Sequence, residues 1–161
     1  MDFSLVIRGF KRNVSLVEAH AEGISHEDSL TQTPYNVNCF NWVVGHIITS
    51  RNALFRNIAG EELWSTDDRL DRYRRESEPI TGDGPGVWKL DDLLTALRES
   101  QDRIAQNLGT ATPEYLAEEI EVDGRSASRE ARILFAYFHD TYHTGQLDLL
   151  RQMSGKSDKI I

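Results

Sequence analysis

Cysteine is almost absent from this 161-residue sequence: Cys39 stands alone, so no intramolecular disulfide can form and a reducing compartment suits the chain. Long apolar runs are missing as well. None approaches the length that crosses a bilayer, and the opening Met1-Asp2-Phe3-Ser4 lacks the basic stretch and apolar core of a secretory signal. These absences lead to the expectation of a cytoplasmic protein with no membrane partner. Positive charge is in deficit, with 18 Lys and Arg against 26 Asp and Glu and a formal net charge of −8. Phosphate backbones demand a concentrated basic surface. The one basic cluster, Arg69 to Arg75, is broken by Asp71 and runs into Glu76 and Glu78. It reads as a solvated, locally paired face, and no nucleic-acid partner is expected.

What is present is the composition of an ordinary globular domain, 39% hydrophobic and 27% charged. The length suits a single domain spanning residues 1–161, with enough core to fold without disulfides or a structural metal. Four segments carry helical periodicity. Phe3, Ile7, Phe10, Val14, Val17 and Ala21 recur at spacings of three and four, which predicts a helix over 3–21. Val43, Ile47, Leu54 and Ile58 predict a second over about 38–59, with Gly60 where a left-handed cap belongs. Leu90, Leu94, Leu97, Ile104 and Leu108 mark a third, closed by Gly109. The fourth runs over about 128–154, with Arg151 in its last turn and Gly155 after it.

No long alternating pattern competes for a sheet, although 119–122 can form a short extended piece. The expected class is therefore all-α, a four-helix bundle with long connections. Links of about 15, 30 and 20 residues exceed the usual helix-to-helix loop and permit neighbours that are not consecutive. The longest, 61–89, holds Trp64, Tyr73 and Trp88 together with the turn-forming run Gly82 to Gly86. Those glycines match no phosphate-binding fingerprint, since neither a preceding strand nor a following Gly-Lys-Ser/Thr is present. The loop reads either as a pocket wall or as packing along the bundle edge.

Chemistry concentrates in the histidines. His139 and His143 are four apart, so they leave the same face of the fourth helix one turn apart and can chelate one ion. At about 100° per residue, Ala136, Gln146 and Leu150 share that face, which predicts imidazoles on the core-facing stripe. The same construction on the second helix puts His46 with Cys39, Val43, Ser50, Ala53 and Leu54, and Gly45 beside it removes bulk for close helix approach. His46, His139 and His143 are thus candidate metal ligands in the bundle interior, the alternative for them being hydrogen-bonded core histidines. Three neutral imidazoles suit zinc, nickel, iron or copper and leave a position open for water or substrate.

Asp140 neighbours the ligands and is a candidate base or support for a ligand, against a solvated position on the helix flank. Gln146 is a candidate partner of a ligand or substrate. The run His139-Asp140-Thr141-Tyr142-His143 approximates the zinc-protease motif with Asp for Glu, but the shorter acid and the distant third ligand argue against a protease. Cys39 lies two turns from His46, too far for a ligand, and reads as core. His20 and His26 read as surface residues.

Two stretches resemble a known family. Asn41-Trp42-Val43-Val44-Gly45-His46 and His139-Asp140-Thr141-Tyr142-His143-Thr144-Gly145-Gln146, with the leucine-rich third helix and the closing 149–155, are similar to the DinB/YfiT-like metal-binding bundles. That resemblance implies a four-helix bundle of non-simple helix order, frequent homodimers, and a zinc or nickel ion on His46, His139 and His143. The family often has Glu where this chain has Asp140. Its characterised members include enzymes that transfer groups to low-molecular-weight thiols and a thiol-dependent isomerase. A thiol-dependent S-transferase acting on a small molecule is the implied function. A metal-dependent hydrolase and a non-catalytic, stress-associated metal-binding or dimerisation module are the alternatives.

Overall fold

The computed structural model describes residues 3–161 apart from 36, 65–67 and 123, with the side chains of 68 and 69 also outside the described set. Four long helices dominate: α1 (Phe3–Ala21), α3 (Phe40–Ala59), α4 (Leu90–Thr110) and α6 (Arg129–Met153). Between them lie the one-turn α2 (His26–Ser29), a 3-10 segment (Asp68–Tyr73), the short α5 (Pro113–Ala117), and a hairpin of β1 (Glu119–Val122) with β2 (Arg125–Ser128). The short elements have local causes. Ser25 and Asp28 close a reciprocal capping box at α2, and Thr112 caps α5 with Pro113 in its first turn. Extended structure at 119–122 matches the sequence reading. Its antiparallel partner does not follow from any alternating pattern, because Ala127 is the one apolar residue of 125–128.

The boundaries of the long helices fall within two residues of their sequence signals, although one closing glycine does not act as a cap. Gly60 and Gly155 adopt the left-handed conformation, φ 75° and 87°, that ends a helix. Gly109, expected to close the third helix, lies inside α4 instead, which runs to Thr110 and stops at the extended Ala111.

α3 packs against α4 and α6, and α1 packs against the same two, so α1 and α3 stand diagonally across the bundle. The diagonal steps from α1 to α3 and from α4 to α6 account for two of the long connections, whereas the longest joins α3 to its neighbour α4. Inside, the core divides into two apolar clusters, one around Val17, Ile47, Leu97 and Leu147, the other around Phe10, Phe55, Ile104 and Ile133. Every long helix crosses from one cluster to the other through a polar residue: Asn13, Arg51, Ser100 and Asp140. Arg51, 1% exposed, donates to both oxygens of Asp140 at 2.6 and 3.2 Å and to Ser100 Oγ at 2.9 Å. Asn13 Nδ2 reaches Asp140 Oδ2 at 3.4 Å. A buried guanidinium and carboxylate are tolerated only when paired and hydrogen-bonded in this way. Since Asp140 must meet both Arg51 of α3 and Asn13 of α1, the layer fixes how α6 is rotated about its axis.

The basic run Arg69 to Arg75 pairs locally as expected, Arg74 with Asp71 at 3.0 Å and Arg75 with Glu76 at 3.7 Å, the Arg69 side chain lying outside the described set. His20 corrects its surface assignment. It is 1% exposed at the α1–α6 junction. His26 is half-buried, and its Nδ1 accepts from the Leu90 backbone N–H, which starts α4. Among the described residues, no helix is long and apolar enough to cross a membrane.

Candidate metal centre

The structure gathers His46, His139 and His143: one ligand atom from each lies within 4.8 Å of the others. Ring centroids are 5.0 Å apart for His46 and His139, 4.7 Å for His46 and His143, and 4.4 Å for His139 and His143. Nitrogen ligands at ~2.0–2.1 Å around a tetrahedral ion stand about 3.3 Å apart, so small side-chain rotations close the set.

The expected orientation needs correcting, however. The fully buried stripe of α6 is Ile133, Ala136, Asp140, Thr144, Leu147, Leu150 and Arg151. His139 and His143 are half-buried on its flank. α3 is buried nearly all round, and His46 belongs to its more open stripe with Ser50 and the exposed Ala53. The imidazoles therefore line a cleft between α3 and α6 and do not point into the core. The cleft measures ≈ 570 Å³ and is walled by Val37, Trp42, Arg75, Tyr142, Leu149 and Leu150.

Each ring is held from outside. His46 Nδ1 lies 2.7 Å from the Tyr73 carbonyl oxygen and His143 Nδ1 lies 2.7 Å from Gln146 Oε1. Both partners are acceptors, so each Nδ1 carries the hydrogen and each Nε2 offers its lone pair. His139 Nδ1 is buried with no hydrogen-bond partner, a condition that ligation relieves. Burial holds all three imidazoles below their ordinary pKa, His139 lowest at about 4, where His143 and His46 add to the effect. At His46 and His143 the hydrogen bonds donated to Tyr73 and Gln146 oppose burial without cancelling it. Neutral imidazoles are the protonation state that binds metal. The donor set thus fits a divalent ion, and among the described residues no other His, Cys, Asp or Glu joins the cluster.

The other sequence candidates divide. Gln146 takes its expected place as a partner of His143. Asp140 does not: it is 1% exposed, turned into the bundle onto Arg51 and Asn13, and does not line the cleft. Neither the solvated flank nor the catalytic base describes it, because its oxygens are engaged by the guanidinium. Cys39 is buried core at the start of α3. Gly45 makes room for a ring, not for a helix: a Cβ there would stand 2.1 Å from Tyr73 Cδ1.

The sequence reading missed two supports. Trp42 stacks on His46 with centroids 4.5 Å apart and planes at 14°, its Nε1 donating to Ser77 Oγ at 2.9 Å. Its position one turn before His46 was a signal that helical spacing carried. Tyr73, fully buried, brings its carbonyl from 27 residues further along, and no local pattern announces that.

The chain belongs to the DinB superfamily, whose family model matches residues 10–147 and so takes in all three histidines. A conserved protein from Enterococcus faecalis has a similar structure, with TM-score 0.77 at 15% identity over 97% of this chain and 99% of that one. A DinB-like protein from Bacillus subtilis is also similar, with TM-score 0.64 at 19% identity over 98% and 96% of the two chains. At such identities the likeness establishes the fold. No curated protein matches the chain significantly.

Proposed function

We propose that this protein is a metal-dependent transferase that joins a low-molecular-weight thiol to a small electrophile, with His46, His139 and His143 as the ligands of a zinc or nickel ion. The observation that carries the reading is the pinned geometry of the three neutral imidazoles, two with Nδ1 committed to oxygen acceptors. When bound, the ion supplies a positive charge that favours the thiolate form of a thiol ligand. The thiol proton leaves to solvent, the sulfur–carbon bond forms, and the bond to the leaving group breaks with its electron pair.

The chain's own residues do the rest. Trp42, Val37, Leu149 and Leu150 offer an apolar wall on which an electrophile can lie, and Gln146 and the Tyr73 carbonyl keep the imidazoles oriented. Thiol chemistry is favoured over hydrolysis by a particular feature. Activating water benefits from a carboxylate base, and the one acid beside the ligands, Asp140, is committed to Arg51. The buried, unpaired Cys39 accords with a reducing, cytoplasmic setting.

A homodimer is part of the proposal. Phe135, Phe138, Tyr142 and Leu149 are 57–66% exposed along one face of α6 at offsets of three, seven and fourteen, the spacing of a helix-pairing seam beside the cleft.

Metal analysis of purified protein, followed by thiol-consumption assays of zinc- and nickel-loaded protein with several electrophiles, tests the reading. Metal-dependent thiol consumption that vanishes in His143→Ala supports it. Protein that retains no metal after dialysis overturns it.

A further inference from the structure

The turn that follows the 3-10 segment is fastened to the histidine cleft at two points. Tyr73, at its start, offers its carbonyl to His46 Nδ1 at 2.7 Å, and Ser77, at its end, accepts from Trp42 Nε1 at 2.9 Å. Inside the turn the Ser77 N–H donates to the Arg74 carbonyl at 3.1 Å and the Ser77 hydroxyl to the Arg72 carbonyl at 2.9 Å. Glu76 stands at φ 67°, the one non-glycine at positive φ among the described residues, a conformation that persists only where the surroundings hold it. Arg75 sits between the two fastened points, and its side chain borders the cleft together with Trp42 and His46.

The charge of the lining points to a ligand. The chain carries a net charge of −8, yet no Asp or Glu borders the cleft among the described residues, and Arg75 is its one formally charged member. The three imidazoles are kept neutral by burial, and Asp140, the acid next to a ligand, faces the bundle interior and Arg51. Arg75 does contact Glu76, which lies outside the lining, but at 3.7 Å between side chains 88% and 84% exposed. Such a pair contributes little and yields to a better acceptor. The backbone of Arg75 is therefore fixed while its fork of donors stays available at the cleft. A divalent ion on the histidines would add positive charge to the same space. One guanidinium matches the two oxygens and single charge of a carboxylate; a phosphate dianion asks for a second cation, and none borders the cleft.

We propose that the small molecule taken up by this cleft carries a carboxylate, which pairs with Arg75 while the rest of the molecule lies along Trp42 and Val37. The inference rests on the transferase reading and names its substrate class, the carboxylate belonging to the thiol or to the electrophile. Arg75 is then a specificity-determining residue that selects an acid over an amide or alcohol of similar size.

Isothermal titration of the full chain at pH 7 tests this in two arms. The first compares 3-mercaptopropionate with 2-mercaptoethanol on zinc-loaded protein. The second compares butyrate with butyramide, on zinc-loaded protein saturated with 2-mercaptoethanol and on metal-free protein. The acid should bind about five- to tenfold more tightly than its neutral counterpart in at least one arm, and that arm identifies which substrate bears the group. Arg75→Gln should bring the ratio to about one without altering metal retention or melting temperature, and Arg75→Lys should keep part of it. Equal affinities in both arms overturn the proposal, as does a preference that survives Arg75→Gln, the result expected if the carboxylate simply ligates the metal. An acid preference lost in Arg75→Gln, in protein that consumes no thiol, upholds the carboxylate site and overturns the transferase reading alone.

Discussion

Two glycines inside long helices should respond to alanine with opposite signs, because one faces a ring and the other faces space. A Cβ on Gly45 would stand 2.1, 2.4 and 2.5 Å from ring atoms of Tyr73, where carbon contacts settle at ~3.5–4.0 Å. The ring must retreat by about 1.5 Å. It has nowhere to go: Tyr73 is fully buried, and its hydroxyl donates to Asn41 Oδ1 at 3.1 Å and accepts from the Trp88 N–H at 2.7 Å. Overpacking of this kind costs ~1–3 kcal/mol, and each disturbed buried hydrogen bond about 1 kcal/mol more. Relief of the glycine helix penalty returns about 1 kcal/mol. Gly45→Ala should therefore lose ~2–4 kcal/mol, a fall in melting temperature of roughly 5–15 °C for a chain of this size. Gly145→Ala has open space at its Cβ and should gain ~0.5–1 kcal/mol, a rise of a few degrees. The Gly45 variant should also bind metal ~10–100-fold more weakly, since the displaced tyrosine carries the carbonyl that orients His46. Thermal melts of the metal-free proteins and a competitive chelator titration read both effects. A Gly45→Ala protein melting within two or so degrees of the parent, or moving in the same direction as Gly145→Ala, would refute the reasoning.

Single replacement of His46, His139 or His143 by Ala should remove most metal affinity yet leave the helical spectrum unchanged, because the two apolar clusters hold the bundle without the ion; unaltered metal stoichiometry in all three would defeat the site. Arg51→Met should cost ~3–5 kcal/mol by stranding the Asp140 carboxylate, whereas the double change Arg51→Met with Asp140→Leu should come close to the parent in urea unfolding. Gln146→Leu should weaken metal binding ~10–100-fold with little change in melting, as read by chelator competition. For the metal-free protein the histidine pKa values lie below the unfolded value of 6.5, so the unfolded chain binds more protons in acid. Their contribution is fully present above pH ~6.5 and is lost as pH falls toward about 4, by at most ~3 kcal/mol for His139, and a melting temperature flat across that window would contradict it.

How much was legible depends on whether a signal was local. The long helices were readable because their apolar spacing and the caps Gly60 and Gly155 act within a turn or two. The histidine pair of α6 was readable for the same reason. The rotation of α6 was not: periodicity centred the buried stripe on His139, while the buried line passes through Asp140 and Thr144. The offset arises because Asp140 is drawn inward by Arg51, 89 residues earlier, and a charged residue next to a ligand looks from sequence like chemistry. His20 failed similarly, since burial of a histidine at a helix end depends on what α6 and residues 157–161 lay over it.

By itself the sequence determined the helical class, the places where the long helices start and stop, and the pairing of His139 with His143 on one face of α6, because side-chain spacing along a helix is set by backbone geometry alone. Only the tertiary structure decided that α1 and α3 stand diagonally, that a buried Arg51–Asp140 layer sets the rotation of α6, and that the Tyr73 carbonyl and Gln146 hold the ligands at the wall of an open cleft. Those outcomes turn on contacts between residues far apart in the chain, whose free energy exists only once the chain has folded.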